Sequence, residues 1–182
     1  MTCIVGVLVP ASNSVLIGGD SAGVSSWDLT TRADQKVFTK APFVMGFTDS
    51  FRMGQLLRYS LNVQERPAQM DVFEFMATWF VDSVRSCLKN GGFATKKEEQ
   101  ESGGTFLVGY RGRLFELNSD YQVGESTFDF AACGCGAQIA IGSMYTSAGT
   151  PLERARKALE AAAEFSAGVR APFHFAAGGP VA

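Results

Sequence analysis

The sequence predicts an α+β fold of four layers, αββα, with two antiparallel sheets stacked between outer helix layers. Three observations point to it. Strand-like runs come in pairs joined by tight turns, and helical patterns also come in pairs, giving the order strands, two helices, strands, two helices, strand. A doubly wound parallel sheet would instead need single helices alternating with strands. The third is length, since 182 residues are enough for one sizeable core and too few for two. One domain spanning residues 1–182 is therefore expected.

The first hairpin pairs residues 2–9 with 15–21 across Pro10-Ala11-Ser12-Asn13, a turn-forming set. Residues 21–34 are small and polar and read as a loop, with Trp27 their one large apolar residue. Lys36-Val37-Phe38 and residues 43–47 form a second hairpin turning near Lys40-Ala41-Pro42. Thr48-Asp49-Ser50 offers a helix cap, and Phe51, Leu56, Leu57 and Leu61 keep one face behind it. A second helix is expected over 71–89, with an apolar stripe from Val72 to Leu88 that includes Trp79, and Gly91-Gly92 as its stop. Core packing, rather than a cofactor box, accounts for that stripe.

The mixed-charge run 96–101 reads as a solvated loop. Strands are expected at 105–110 and 113–118 across Arg111-Gly112, and again at 128–133. Helices follow at 137–145 and 152–165, the second behind Thr150-Pro151, a cap and first-turn proline. Residues 169–175 complete the strands, and the small-residue segment 176–182 is expected to fray.

A net charge of −2 gives no footprint for nucleic acid and no attraction to an anionic membrane. No leader pattern opens the chain and no apolar run is long enough to span a bilayer, so a cytoplasmic location is expected. No cofactor is called for. Of the four cysteines only Cys133 and Cys135 are close, and their C-x-C lacks the second pair that a zinc site needs. The single histidine, His174, lies in a strand-like run, so a nucleophile here needs another base.

Thr2 supplies one by itself. A free α-amine titrates near pH 7.7–8.0, about where a general base works best. Once Met1 is removed, Thr2 holds nucleophile and base in one residue. With Met1 attached, its nitrogen is a non-basic amide and the chain is expected to be inert.

The run Thr2-Cys3-Ile4-Val5-Gly6-Val7, then Ile17-Gly18-Gly19-Asp20-Ser21, Lys36-Val37-Phe38 and Met45-Gly46-Phe47, resembles the opening of proteasome β subunits. It resembles the bacterial HslV peptidase equally, and both are N-terminal-nucleophile (Ntn) hydrolases. The likeness continues through residues 104–117, through Cys133-Gly134-Cys135-Gly136 in place of a G-S-G type turn, and through Phe165-Ser166-Ala167-Gly168-Val169 in place of Y-S-G-G.

The resemblance implies Thr2 as nucleophile, Lys36 as the cation beside it, Asp20 as the partner of Lys36, and Ser166 near the amine. Cys135 stands where the family has a supporting serine, and Ala163, next to Glu164, where it has an acidic residue. The implied oxyanion donor is a backbone N–H at Asp49 or Ser50, where the family has glycine. Gly23 and Thr48 border the implied substrate pocket, with Asp34 and Arg52 as charged contributors.

The function so implied is a threonine peptidase acting on polypeptides. Its subunits would self-associate into rings, fed by a separate unfolding ATPase, since no ATP-binding loop occurs here. A hydrolase of small amides and a non-catalytic ring subunit are the alternatives. Ring subunits of the latter, α type carry an extension before the first strand, whereas this chain starts at the strand.

Overall fold

The computed structural model describes residues 1–98 and 100–179. In chain order its strands and helices begin with β1 (Cys3–Val9), β2 (Ser14–Gly19), β3 (Ala22–Ser25), β4 (Asp28–Thr31), β5 (Val37–Lys40) and β6 (Phe43–Phe47). Three helices follow, α1 (Phe51–Tyr59), α2 (Val72–Phe75) and α3 (Val81–Asn90). Then come β7 (Thr95–Lys97), β8 (Gln100–Ser102), β9 (Phe106–Tyr110), β10 (Arg113–Leu117), β11 (Val123–Glu125) and β12 (Phe130–Gly134). The chain closes with α4 (Ala137–Thr146), α5 (Pro151–Phe165) and β13 (His174–Gly178).

Two sheets carry the fold, ordered β12-β1-β2-β13 and β11-β10-β9-β6-β5, with antiparallel pairing throughout. Side chains alternate across a strand, so each strand serves two environments. In β1, Cys3, Val5 and Val7 pack with Ala140, Met144, Ala158 and Leu159 of α4 and α5. Ile4, with Val15 and Ile17 of β2, turns the other way onto Val37, Val44, Leu107 and Leu114 of the second sheet. The far face of that sheet, including Met45, Phe47, Phe106 and Phe115, packs with Leu57, Phe75, Phe80 and Leu88. Burying each such side chain is worth about 1.5–3 kcal/mol.

Local chemistry sets the ends of the elements. Ser50 caps α1 by accepting from the Arg52 N–H, and Asp71 caps α2 by accepting from Phe73 and Glu74. A widened π turn over Met76–Phe80 joins α2 to α3. Phe75, Met76 and Phe80 are buried, but Trp79, expected in the same stripe, is 39% exposed. The wider turn breaks the 3.6-residue register on which that expectation rested.

At α5, Thr150 Oγ1 accepts from the Glu153 N–H and Glu153 Oε2 accepts from the Thr150 N–H, a reciprocal capping box. We expect Thr150→Ala to lower the unfolding free energy by about 1 kcal/mol, measured as an earlier urea midpoint at unchanged slope.

Four expectations are corrected. Residues 22–31 form the β3–β4 hairpin rather than a loop, and Thr95–Lys97 pairs with Gln100–Ser102 as β7 and β8; Glu99 lies outside the described residues. Both hairpins are mostly exposed and held by backbone pairing, so no apolar alternation announced them. Strand β11 was not anticipated. The last strand starts at His174, so Ala176, Ala177 and Gly178, expected to fray, pair with Ile17, Leu16 and Val15. The remainder of that segment from 180 lies outside the described residues.

Candidate active site

The opening hairpin brings Thr2 and Asp20 together, because the register pairs Ile4 with Gly19. Thr2 stands just before β1 and Asp20 just after β2, at the same end of the sheet. Lys36 enters from the second sheet, immediately before β5. All three are buried, at 4%, 1% and 2% exposure.

Lys36 Nζ donates to Thr2 Oγ1 at 2.9 Å and to Asp20 Oδ1 at 2.9 Å. Asp20 Oδ1 also accepts from the Cys3 N–H at 3.1 Å. Its Oδ2 accepts from the N–H groups of Ala22 at 2.9 Å and Arg170 at 3.3 Å. Four donors thus fix the carboxylate, and the carboxylate fixes the ammonium. Burial pushes Lys36 below the ordinary lysine range, while the neighbouring Asp20 charge pulls the other way.

Thr2 is held through its backbone as well. Its carbonyl accepts from the Gly136 N–H at 3.3 Å. A Cβ on Gly134, which has φ +95°, would lie 2.3 Å from that carbonyl oxygen, so only glycine fits there.

The Thr2 N–H donates to Cys135 Sγ at 3.3 Å, and that sulfur lies 3.4 Å from Ser166 Oγ. Ser166 therefore meets the nitrogen of Thr2 through Cys135. Cys135 is exposed, whereas Cys3 and Cys133 are buried. Burial pushes the Cys3 thiol up to about 12, with Asp20 adding to the shift, and pushes Cys133 well above the usual range. Both are inert thiols. Thr2 Oγ1 donates to the Met1 carbonyl, and the Met1 side chain packs where a Cβ on Gly168 would clash at 2.3 Å.

Thr2, Lys36, Gly23, Thr48, Asp49 and Ser50 all line one cleft of about 210 Å³. Asp49 has φ +57°, the left-handed conformation that usually selects glycine. Its carboxylate accepts from the Thr105 N–H at 2.8 Å and so points away from the cleft's reactive end. Thr48 Oγ1 donates to the Thr105 carbonyl at 2.7 Å, tying the same turn to β9.

Of the charged groups expected beside the pocket, neither Asp34 nor Arg52 lines it. Arg52 instead reaches the Gly91 carbonyl at 3.4 Å, and Asp34 binds Arg32. Asp28 of the neighbouring hairpin and Arg32, directly after it, are the charged residues of this segment that face the cleft. Sequence reasoning missed both because it took 21–34 for a loop. It also missed Arg170, whose side chain donates to the Ser166 carbonyl at 3.3 Å while its N–H holds Asp20.

A larger hollow of about 480 Å³, lined by Ser60, Asn62, Trp79, Ser83 and Cys87 among others, with Asp82 its one charged residue, contains none of these groups. Chemistry rather than size identifies the smaller cleft as the candidate site. Among the described residues no cluster of His, Cys, Asp and Glu has the makings of a metal site. Among them, too, no helix is long and apolar enough to cross a membrane.

Neither a protein-family model nor a curated protein matches the chain. Solved structures do. Thiobacillus denitrificans BPH superposes with a TM-score of 0.76 at 19% identity, covering 97% of each chain. The same protein in complex with epoxomicin gives 0.75 at 20% identity, over 96% of this chain and 97% of that one. Eukaryotic HslV from Trypanosoma brucei gives 0.68 at 16% identity, over 98% of this chain and all of that one. The chain thus has the mixed α/β fold of BPH and HslV along nearly its whole described length, in keeping with the resemblance of its opening strands to HslV.

Proposed function

We propose that this chain is a threonine peptidase whose nucleophile is Thr2 Oγ1 once nothing precedes Thr2. One observation carries the proposal: a buried Lys36 ammonium bridges the Thr2 hydroxyl and the Asp20 carboxylate at 2.9 Å each. A structural ion pair would not need the hydroxyl of residue 2 as its third member. The likeness to HslV and to an epoxomicin-bound protein supports the same reading.

The freed α-amine takes the Oγ1 proton, and Oγ1 attacks the peptide carbonyl carbon. Lys36 stabilises negative charge on Oγ1, and as a cation beside the amine it disfavours the amine's protonated form. The backbone N–H of Asp49 or Ser50 holds the oxyanion of the tetrahedral intermediate. As the C–N bond breaks, the ammonium of Thr2 returns its proton to the leaving amine and an ester remains on Oγ1. Water, deprotonated by the same amine, then hydrolyses that ester. Cys135 and Ser166 orient the amine. Gly23 and Thr48 flank the substrate side chain.

We further propose a single four-layer αββα domain of the Ntn type, working in the cytoplasm. Its subunits associate into rings that enclose the Thr2 sites and receive polypeptides from a separate ATPase.

The test pairs intact mass with turnover. Protein whose mass shows loss of Met1 is expected to hydrolyse a fluorogenic peptide and to be inhibited by epoxomicin. Protein that retains Met1 is expected to be inert. Equal turnover by both forms would remove the α-amine from the mechanism. Sedimentation of monomer alone would overturn the ring assembly and leave the chemistry standing.

A further inference from the structure

We infer that the cleft beside Thr2 selects a cationic side chain, lysine or arginine, on the residue whose carbonyl Thr2 attacks, with Asp28 receiving its charge. This rests on the peptidase reading and adds the substrate class.

Four charged residues line the cleft: Asp28, Arg32, Lys36 and Asp49. Both cations already have a carboxylate of their own. Arg32 donates from Nε and Nη2 to the two oxygens of Asp34, each at 2.8 Å, and its guanidinium lies 4.0 Å from the centre of the Phe51 ring. That bidentate pair neutralises the guanidinium and occupies two of its nitrogens, so Arg32 forms wall rather than an anion receptor. Lys36 is held by Asp20.

The carboxylates are in excess. Asp49 is turned to the Thr105 N–H. Asp28, on the exposed rim of the β3–β4 hairpin opposite Ser25, has no ion pair among those of the described residues. With Asp20 and Asp34 included, the cleft carries two uncompensated negative charges.

The apolar part of the lining suits the same occupant. Val24, Phe47 and Phe51 give the long stem of a lysine or arginine an apolar path, while its head stays near the hairpin rim. Gly23 keeps that path open. A Cβ there would meet Arg32 Cδ at 2.7 Å and Thr30 Oγ1 at 2.9 Å, and would lift the arginine out of the wall. An acidic side chain would face Asp28 and a guanidinium already neutralised, and is disfavoured on both counts.

Three fluorogenic peptides, identical except for Arg, Leu or Glu before the fluorophore, test this on the Met1-free protein. The expected order of kcat/KM is Arg, then Leu, then Glu, with the Arg-to-Leu ratio shrinking as salt is raised. In Asp28→Asn that ratio is expected to fall by up to about fivefold, the upper end of what an exposed ion pair contributes. Asp28 is exposed, so its replacement leaves the core untouched. Arg32→Gln, which strands Asp34 beside the cleft, is expected to widen the ratio instead. If Leu or Glu leads, or if neither variant moves the ratio, the inference is overturned while the peptidase reading stands. If none of the three peptides is hydrolysed, both are overturned together.

Discussion

Thr2→Ala is expected to abolish peptide turnover, by on the order of 10⁴-fold or more in kcat/KM, and to leave the protein folded. The size follows from removing the proposed nucleophile, on which every other group would act. In the proposed mechanism Lys36, Cys135 and the Asp49 turn act on the Thr2 hydroxyl, its nitrogen or the charge it creates, so none would catalyse without it. The fold has less at stake. Lys36 Nζ keeps Asp20 Oδ1 at 2.9 Å when Thr2 Oγ1 is gone, and the loss is one hydrogen bond, about 1 kcal/mol. Turnover and a thermal melt on the same preparation separate the two effects. Thr2→Ser, which retains a hydroxyl on the same backbone, is expected to keep activity. Turnover surviving in a folded Thr2→Ala protein would move the nucleophile elsewhere, and the exposed thiol of Cys135 would become the first residue to test.

The sequence made the ends of strands legible and the edges of the fold obscure. Thr2, Asp20 and Lys36 each sit at the end of an apolar run; the runs located the strands, and the resemblance to proteasome β subunits and HslV, rather than any periodicity, singled out the three residues. The Thr48-Asp49-Ser50 cluster and Thr150 announced two helices through their caps, and the Ser50 and Thr150 side chains accept the hydrogen bonds those positions imply; the Asp71 cap of α2 went unread. The β3–β4 hairpin left no such mark. Only Ala22 is buried in it, and backbone pairing needs no particular side chains. With it went Arg32 and Asp28.

The last strand was misplaced for a different reason. Residues 170–172 look extended and apolar enough, but their hydrogen bonds are spent on the site. Ser21 N–H donates to the Arg170 carbonyl at 2.9 Å, Ser21 Oγ to the Pro172 carbonyl at 2.6 Å, and Arg170 N–H to Asp20. The ladder with β2 starts only beyond them. There one of the small residues that suggested fraying is required, since a Cβ on Gly178 would lie 2.8 Å from Val44 of the second sheet.

Lys36→Met is expected to cost both activity and stability, and the two losses come apart in a second variant. The Asp20 side chain is fully buried, and Lys36 is its only ionic partner among the described residues. Removing that cation leaves a carboxylate inside the protein with N–H donors alone, a change that typically costs about 3–5 kcal/mol. The N–H groups of Cys3, Ala22 and Arg170 still reach Asp20 and put the expected cost at the lower end of that range. Turnover is expected to fall on the order of 10²–10³-fold, the usual effect of losing one preorganised stabiliser of transition-state charge.

Adding Asp20→Asn to Lys36→Met removes the stranded charge while keeping a carbonyl oxygen to accept from Cys3 or Ala22. The double variant is therefore expected to regain part of the lost unfolding free energy in urea denaturation and to regain none of the turnover. Recovery of both would make the pair a structural ion bridge. Recovery of stability alone is the behaviour of a cation whose second partner, the Thr2 hydroxyl, is the one that reacts.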